Sequence, residues 1–249
     1  MKFKFLLILF FSFSLQTSHA SEDCMSNLSI FAEYYKVKNY DSAYEPWMKV
    51  RQECPKINAA IYSYGKRMLE HFIKNSDGDQ KLAYQNDLIK LYDEWLVNFP
   101  IVKGRNITGE IMSNKAQALL DNKLASKIEI FNTFDMAYSS DRASFDDPKP
   151  LYSYFKTYFE LYKENADEVT LSKVFDKYED ISERFEEVID GYAKQLAVIL
   201  KKEESGQPLS SREKSLKRAY GINSNASVTY LNNLNAIIAK ESTCENLIP

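Results

Sequence analysis

The stretch from Cys24 to Pro55, CMSNLSIFAEYYKVKNYDSAYEPWMKVRQECP, constrains the fold more than any other. It reads as two short antiparallel helices with a cysteine at each open end. Leu28, Phe31 or Ala32, and Tyr35 recur at helical spacing. Lys38-Asn39 supplies the turn, with Asn39 as the cap. Tyr40, Ala43, Tyr44, Trp47 and Val50 then share one side of a second helix. Pro46 removes a backbone donor inside that helix and is expected to bend it, and Pro55 ends it. The first residue of one helix and the last of its antiparallel partner lie at the same end. A Cys24–Cys54 bridge would therefore staple the hairpin, and closing about thirty residues would stabilise it by roughly 3–4 kcal/mol. Composition agrees with a helical, packed chain: seven glycines and seven prolines against 17 tyrosines and 15 phenylalanines.

A disulfide needs an oxidising compartment, and the amino terminus points to one. Lys2 and Lys4 precede an apolar run, Phe5 to Leu15, too short to span a bilayer comfortably. Ser18-His19-Ala20 offers the small residues of a cleavage site, so residues 1–20 are predicted to be a signal peptide cleaved after Ala20. Acidic Asp23 stands before Cys24 where a lipoprotein signal needs a small residue. The expectation is an exported protein of the periplasm or cell envelope, with no transmembrane segment in the mature chain. Removing Lys2 and Lys4 leaves 30 basic against 35 acidic side chains, a net charge of about −5. That balance argues against nucleic acid as a partner. Of the three cysteines, Cys244 is the one left over.

The same stretch resembles the 34-residue tetratricopeptide repeat. With Cys24 at its first position, Tyr34 meets the pattern's first tyrosine and Tyr40-Asp41 its turn. Ala43 meets the small residue of its second helix, Trp47 the large aromatic and Pro55 the closing proline. Asn27 stands where the pattern has tryptophan, and Phe31 where it has a small residue. Cys54-Pro55 and the terminal CENLIP, Cys244–Pro249, resemble exported tetratricopeptide proteins of Bacteroidota-type bacteria, which use "CP" and "CExLIP" in this way. The resemblance implies an α-α superhelix of antiparallel hairpins and a non-catalytic protein of the envelope. It also implies that positions facing the groove are Leu28, Ala32, Tyr35 and Lys36, then Tyr62, Lys66, Leu69 and Glu70. Ser242-Thr243-Cys244-Glu245 looks like the start of a further repeat over 242–249, cut short, with any partner for Cys244 beyond the end.

A second hairpin follows. Ile61, Tyr64-Gly65 and Met68 repeat the first-helix pattern, with Gly65 where close helix approach is wanted. Asn75 to Asp79 turns the chain, and Leu82 to Leu96 forms a helix stopped by Pro100. Gly104–Asn122 and Leu124 to Arg142 read as a third pair, so hairpins fill 21–147. Asp146-Asp147-Pro148-Lys149-Pro150 is the clearest break. Beyond it, 148–241 reads as a divergent helical segment. An aromatic helix carries Leu151, Phe155, Tyr158, Phe159 and Tyr162 on one stripe, and Asn165-Ala166-Asp167 turns again. A very long helix then runs over 168–204, with apolar residues near a 3.5 period from Leu171 to Ile199, as in a coiled coil. Two short helices are expected at Ser211–Tyr220 and Asn225–Lys240.

Little points to catalysis. His71 is the one histidine after Ala20, no GxSxG elbow is present, and no Cys-x-x-Cys motif supports redox chemistry. Asn75-x-Asp77-Gly78-Asp79 has its glycine misplaced for a calcium loop, and Asn86 stands where glutamate is needed. No metal or other cofactor is expected. The aromatic stripe has the spacing of a helix–helix core. The expected function is a scaffold holding a protein or peptide segment in the groove. The alternative is an envelope hydrolase with a site near the 146–150 break, where Asp141, Asp146 and Asp147 cluster.

Overall fold

The structure, a computed structural model, describes residues 16–164 and 170–242, with side chains from residue 22 onward. It is all-α apart from one two-residue strand pair. The chain divides into two compact units between Phe99 and Pro100. The division falls earlier than the break at 147, because the third hairpin packs with the helices that follow it.

The first unit holds two antiparallel hairpins. Helices α1 (Gln16–Lys36) and α2 (Tyr40–Glu53) form one, α3 (Ala60–Asn75) and α4 (Gly78–Asn98) the other. α1 runs without interruption through Ala20, the predicted cleavage point. Lys38 takes a left-handed conformation, and the Asn39 side chain caps α2 by accepting from the Ser42 amide at 3.3 Å. Cys24 and Cys54 form a disulfide, with their Cα atoms 6.2 Å apart. The expected staple is therefore present. Trp47, fully buried, binds the hairpins together: its Nε1 donates to the Ile61 carbonyl at 2.8 Å. Its ring fills the space a side chain on Gly65 would need, since a Cβ there would come within 2.6 Å of the indole. Beside it, buried Arg51 lies over the Trp47 ring at 5.0 Å and ties α2 to α4 through Asp87 and Glu94.

The second unit opens with a strand pair absent from the sequence reading, β1 (Ile101–Val102) and β2 (Arg105–Asn106). Lys103 and Gly104 both have positive φ, the mark of a two-residue hairpin turn. Helices α5 (Thr108–Asn122) and α6 (Lys127–Ser140) follow as the expected third pair, shorter at its start. α5 ends in a left-handed Lys123, with the Lys123 and Leu124 amides bonded to the Leu120 and Leu119 carbonyls. Ser126 and Glu129 form a capping box on α6. After a short turn of 3-10 helix, α7 (Pro148–Glu164) begins at the prolines, whose fixed φ suits a first helical turn.

α8 (Leu171–Glu204) is the expected long helix, capped by Thr170. The 165–167 turn and a start at 168 lie outside the described residues. Val174, Ile181, Phe185, Val188 and Ile199 of its 3.5-period stripe are buried. The stripe packs along α9 (Ser211–Glu241). α9 corrects the expectation of two short helices: it is continuous through Gly221, and its Ser227, Leu234 and Ile238 are buried. Helix–helix packing along α8 outweighs the weak local signal of Gly221-Ile222-Asn223. Cys244 and most of the 242–249 segment lie outside the described residues.

Candidate functional site

The groove-facing residues implied by the repeat pattern divide into two sets. Tyr62 and Leu69 are fully buried, so neither can meet a partner. Tyr62 stacks on Trp95, donates from its hydroxyl to the Pro55 carbonyl at 3.0 Å and accepts from Asn98 at 2.8 Å. Burial, and then the nearby Glu94 carboxylate, pushes its phenol up to about 12. The physical reason lies in the periodicity of α3. Ile61, Tyr62, Gly65, Met68, Leu69 and Phe72 form one buried face. The exposed face is rotated from the positions the 34-residue count selects.

The other six are reachable. Leu28, Ala32, Tyr35 and Lys66 are half-buried, and Lys36 and Glu70 are exposed. Lys36 donates to Glu33 at 2.7 Å, which holds its ammonium above the ordinary lysine range, and Lys66 lies 3.8 Å from Glu70.

Around Tyr35 the structure assembles a surface that the sequence reading did not nominate. α1 and α3 meet along a seam. Tyr35 stacks face to face on Tyr64, with ring centroids 4.0 Å apart and planes 3° apart. Phe31, fully buried, supports Tyr64 from below at 6.1 Å. Tyr40 tilts against Tyr35 at 5.7 Å and meets His71 edge-on at 4.9 Å. Arg67 donates from Nη1 to the Tyr35 hydroxyl at 3.3 Å. That bond, ahead of the charge of the phenol, raises the guanidinium above its ordinary value. The rings are half-buried while Arg67, His71 and Lys74 are exposed. Tyr64, Arg67, His71 and Lys74 follow one another at three- and four-residue steps, so they form one row along α3.

A second feature of the first unit is a recess of about 260 Å³, lined by Met48, Arg51, Gln52, Pro55, Asp87, Lys90, Glu94 and Asn98. Its charges are already paired. Arg51 donates from Nε to Glu94 at 2.6 Å and from Nη1 to Asp87 at 3.0 Å. Burial disfavours the charged guanidinium there, but the two carboxylates outweigh it.

The acidic cluster at the 141–147 turn is mostly committed to backbone geometry. Asp141 accepts from the Ser144 hydroxyl and amide, and Asp147 accepts from the Lys149 amide at 3.1 Å. Gly109 allows α5 to close on this turn, because a Cβ there would lie 2.1 Å from the Asp141 carbonyl. Arg184 braces the turn by donating to the Ala143 carbonyl at 2.8 Å. Asp146 differs: burial, then the charge of Glu110, pushes its carboxyl up to about 6. On the aromatic stripe, Leu151 and Phe155 are fully buried, which makes that stripe core. Among the described residues, no group of three His, Cys, Asp or Glu side chains is placed to hold a metal ion. No described helix is long and apolar enough to cross a membrane.

Comparison with protein-family models, curated proteins and solved structures finds no match.

Proposed function

We propose that the chain is a non-catalytic helical-repeat scaffold of tetratricopeptide type, exported to the cell envelope, which holds a protein or peptide segment on the α1–α3 seam. The observation that carries this reading is the half-exposed Tyr35–Tyr64 stack flanked by Tyr40, Arg67 and His71. Flat aromatic surface costs little entropy to present, and polar tips beside it allow hydrogen bonding to a bound main chain. Support for export comes from the Cys24–Cys54 disulfide together with the Lys2–Ala20 leader pattern. Support for the repeat assignment comes from two successive antiparallel hairpins whose first helices, α1 and α3, touch.

The test compares polypeptides that co-purify with the mature chain and with a Tyr35→Ser/Tyr64→Ser double variant of the same secondary-structure content. The expected outcome is a polypeptide retained in near-stoichiometric amount by the first and lost by the second. An identical set for both would overturn the seam as the binding surface.

A further inference from the structure

The charges along the seam are distributed unevenly, and the unevenness points to the chemistry of what binds there. The acidic side chains beside it each have a lysine at hand: Glu33 lies 2.7 Å from Lys36 and Glu70 3.8 Å from Lys66. Arg67 and Lys74 have no carboxylate within ion-pair distance among the described residues, and Arg67 is held in place by the Tyr35 hydroxyl. Tyr64, Arg67, His71 and Lys74 thus form a row with aromatic and cationic character, bordered by Glu70, whose charge also bears on Arg67. The whole chain carries a formal net charge of −3, so this row runs against the overall balance.

We infer that the α1–α3 seam recognises a short, extended, acidic polypeptide segment through Arg67, His71 and Lys74 beside the Tyr35–Tyr64 stack. The inference rests on the scaffold reading and names the class of partner. From Tyr64 to Lys74 the row is about 15 Å long at the α-helical rise. An extended segment of about five residues covers that length. Carboxylates on alternate residues of such a strand lie roughly 6.7 Å apart on one side. Arg67 and Lys74, seven residues apart, lie about 10.5 Å apart along the helix, a span that their flexible side chains can adjust to two such carboxylates. The half-exposed rings of Tyr35 and Tyr40 stand beside the row, where apolar side chains of the same strand find contact area. A long polyanion fits less well: beyond this row it meets a chain with an excess of acidic groups.

The inference is tested with three fluorescent probes on the full mature chain. They are a capped Glu-Val-Glu-Val-Glu peptide, its uncharged Gln-Val-Gln-Val-Gln isostere, and a ten-nucleotide oligothymidine. The acidic peptide is expected to bind about tenfold more tightly than the isostere at low salt, and to weaken severalfold as ionic strength rises. Arg67→Ala and Lys74→Ala should each weaken it about threefold, with Arg67→Lys restoring most of the loss. Both positions are exposed, so folding should be untouched, as checked by circular dichroism. Equal binding of the two peptides, or tighter binding of the oligonucleotide, would overturn the inference. If the acidic peptide fails while the tyrosine double variant still loses its co-purifying polypeptide, the acidic class falls and the seam stands. If that polypeptide is also retained by the variant, both fall.

Discussion

Gly65 and Trp47 act as one object. The indole occupies the volume of a missing side chain and donates its N–H to the Ile61 carbonyl, so its position is fixed by both. Gly65→Ala would force a large buried ring to move, and overpacking of this kind costs about 1–3 kcal/mol. Urea unfolding of the variant should show the loss, and no change in midpoint would mean that the ring is free to shift. Asp146 is a different residue-scale case. Its native carboxyl, up at about 6 against an ordinary 3.8, binds more protons than the unfolded chain between those values. Stability from this group is therefore full below about pH 4 and is lost as pH rises through about 6. Asp146→Asn should accordingly stabilise the protein at pH 7.5 by on the order of 2 kcal/mol, a gain that fades towards pH 4. A gain independent of pH would assign its origin to something other than burial of the charge. Some of this detail was legible beforehand. Gly65 was, because a small residue inside an apolar helical pattern signals close approach. Tyr62 was not, since tyrosine is at home in a core or on a surface, and only contacts with Trp95, Pro55 and Asn98 decide between them.

At the scale of elements, the hairpins and the long α8 could be read from periodicity, because each buries a continuous stripe. The β1–β2 pair could not: two residues a side carry no pattern, and the signal lay only in Lys103-Gly104 as a turn. The continuity of α9 depends on α8 alongside it, which local propensity does not contain. The staple between α1 and α2 is the element-scale feature most open to measurement. Its two cysteines are 30 residues apart in the chain. Opening the bridge should lower the stability of the first unit by about 3–4 kcal/mol on the loop-entropy model. Denaturation with and without a dithiol reductant measures this, and a Cys24→Ser/Cys54→Ser variant serves as control for Cys244. The amides of α1 should gain hydrogen exchange more than those of α3. Uniform exchange across both helices would show that the bridge holds the whole unit and not the hairpin alone.

For the molecule as a whole, the division between Phe99 and Pro100 places the proposed binding seam entirely within the first unit. The second unit is built around an aromatic core in which Phe134, Phe145, Tyr154, Phe155 and Phe185 are fully buried. Helical periodicity located the first unit's hairpins, but two of the four α3 positions implied by the repeat pattern, Tyr62 and Leu69, are buried, since burial in α3 follows its packing on Trp47 and α4. The most direct test of the seam is site-specific photo-crosslinking of the chain in living cells. The crosslinker is placed in turn at Lys36, Arg67 and His71 on the seam, and at Lys49 and Gln80 on exposed positions of α2 and α4. One discrete polypeptide adduct is expected from the three seam positions and none from the other two. Adducts at Lys49 or Gln80 with none at Arg67 and His71 would place binding elsewhere than the seam.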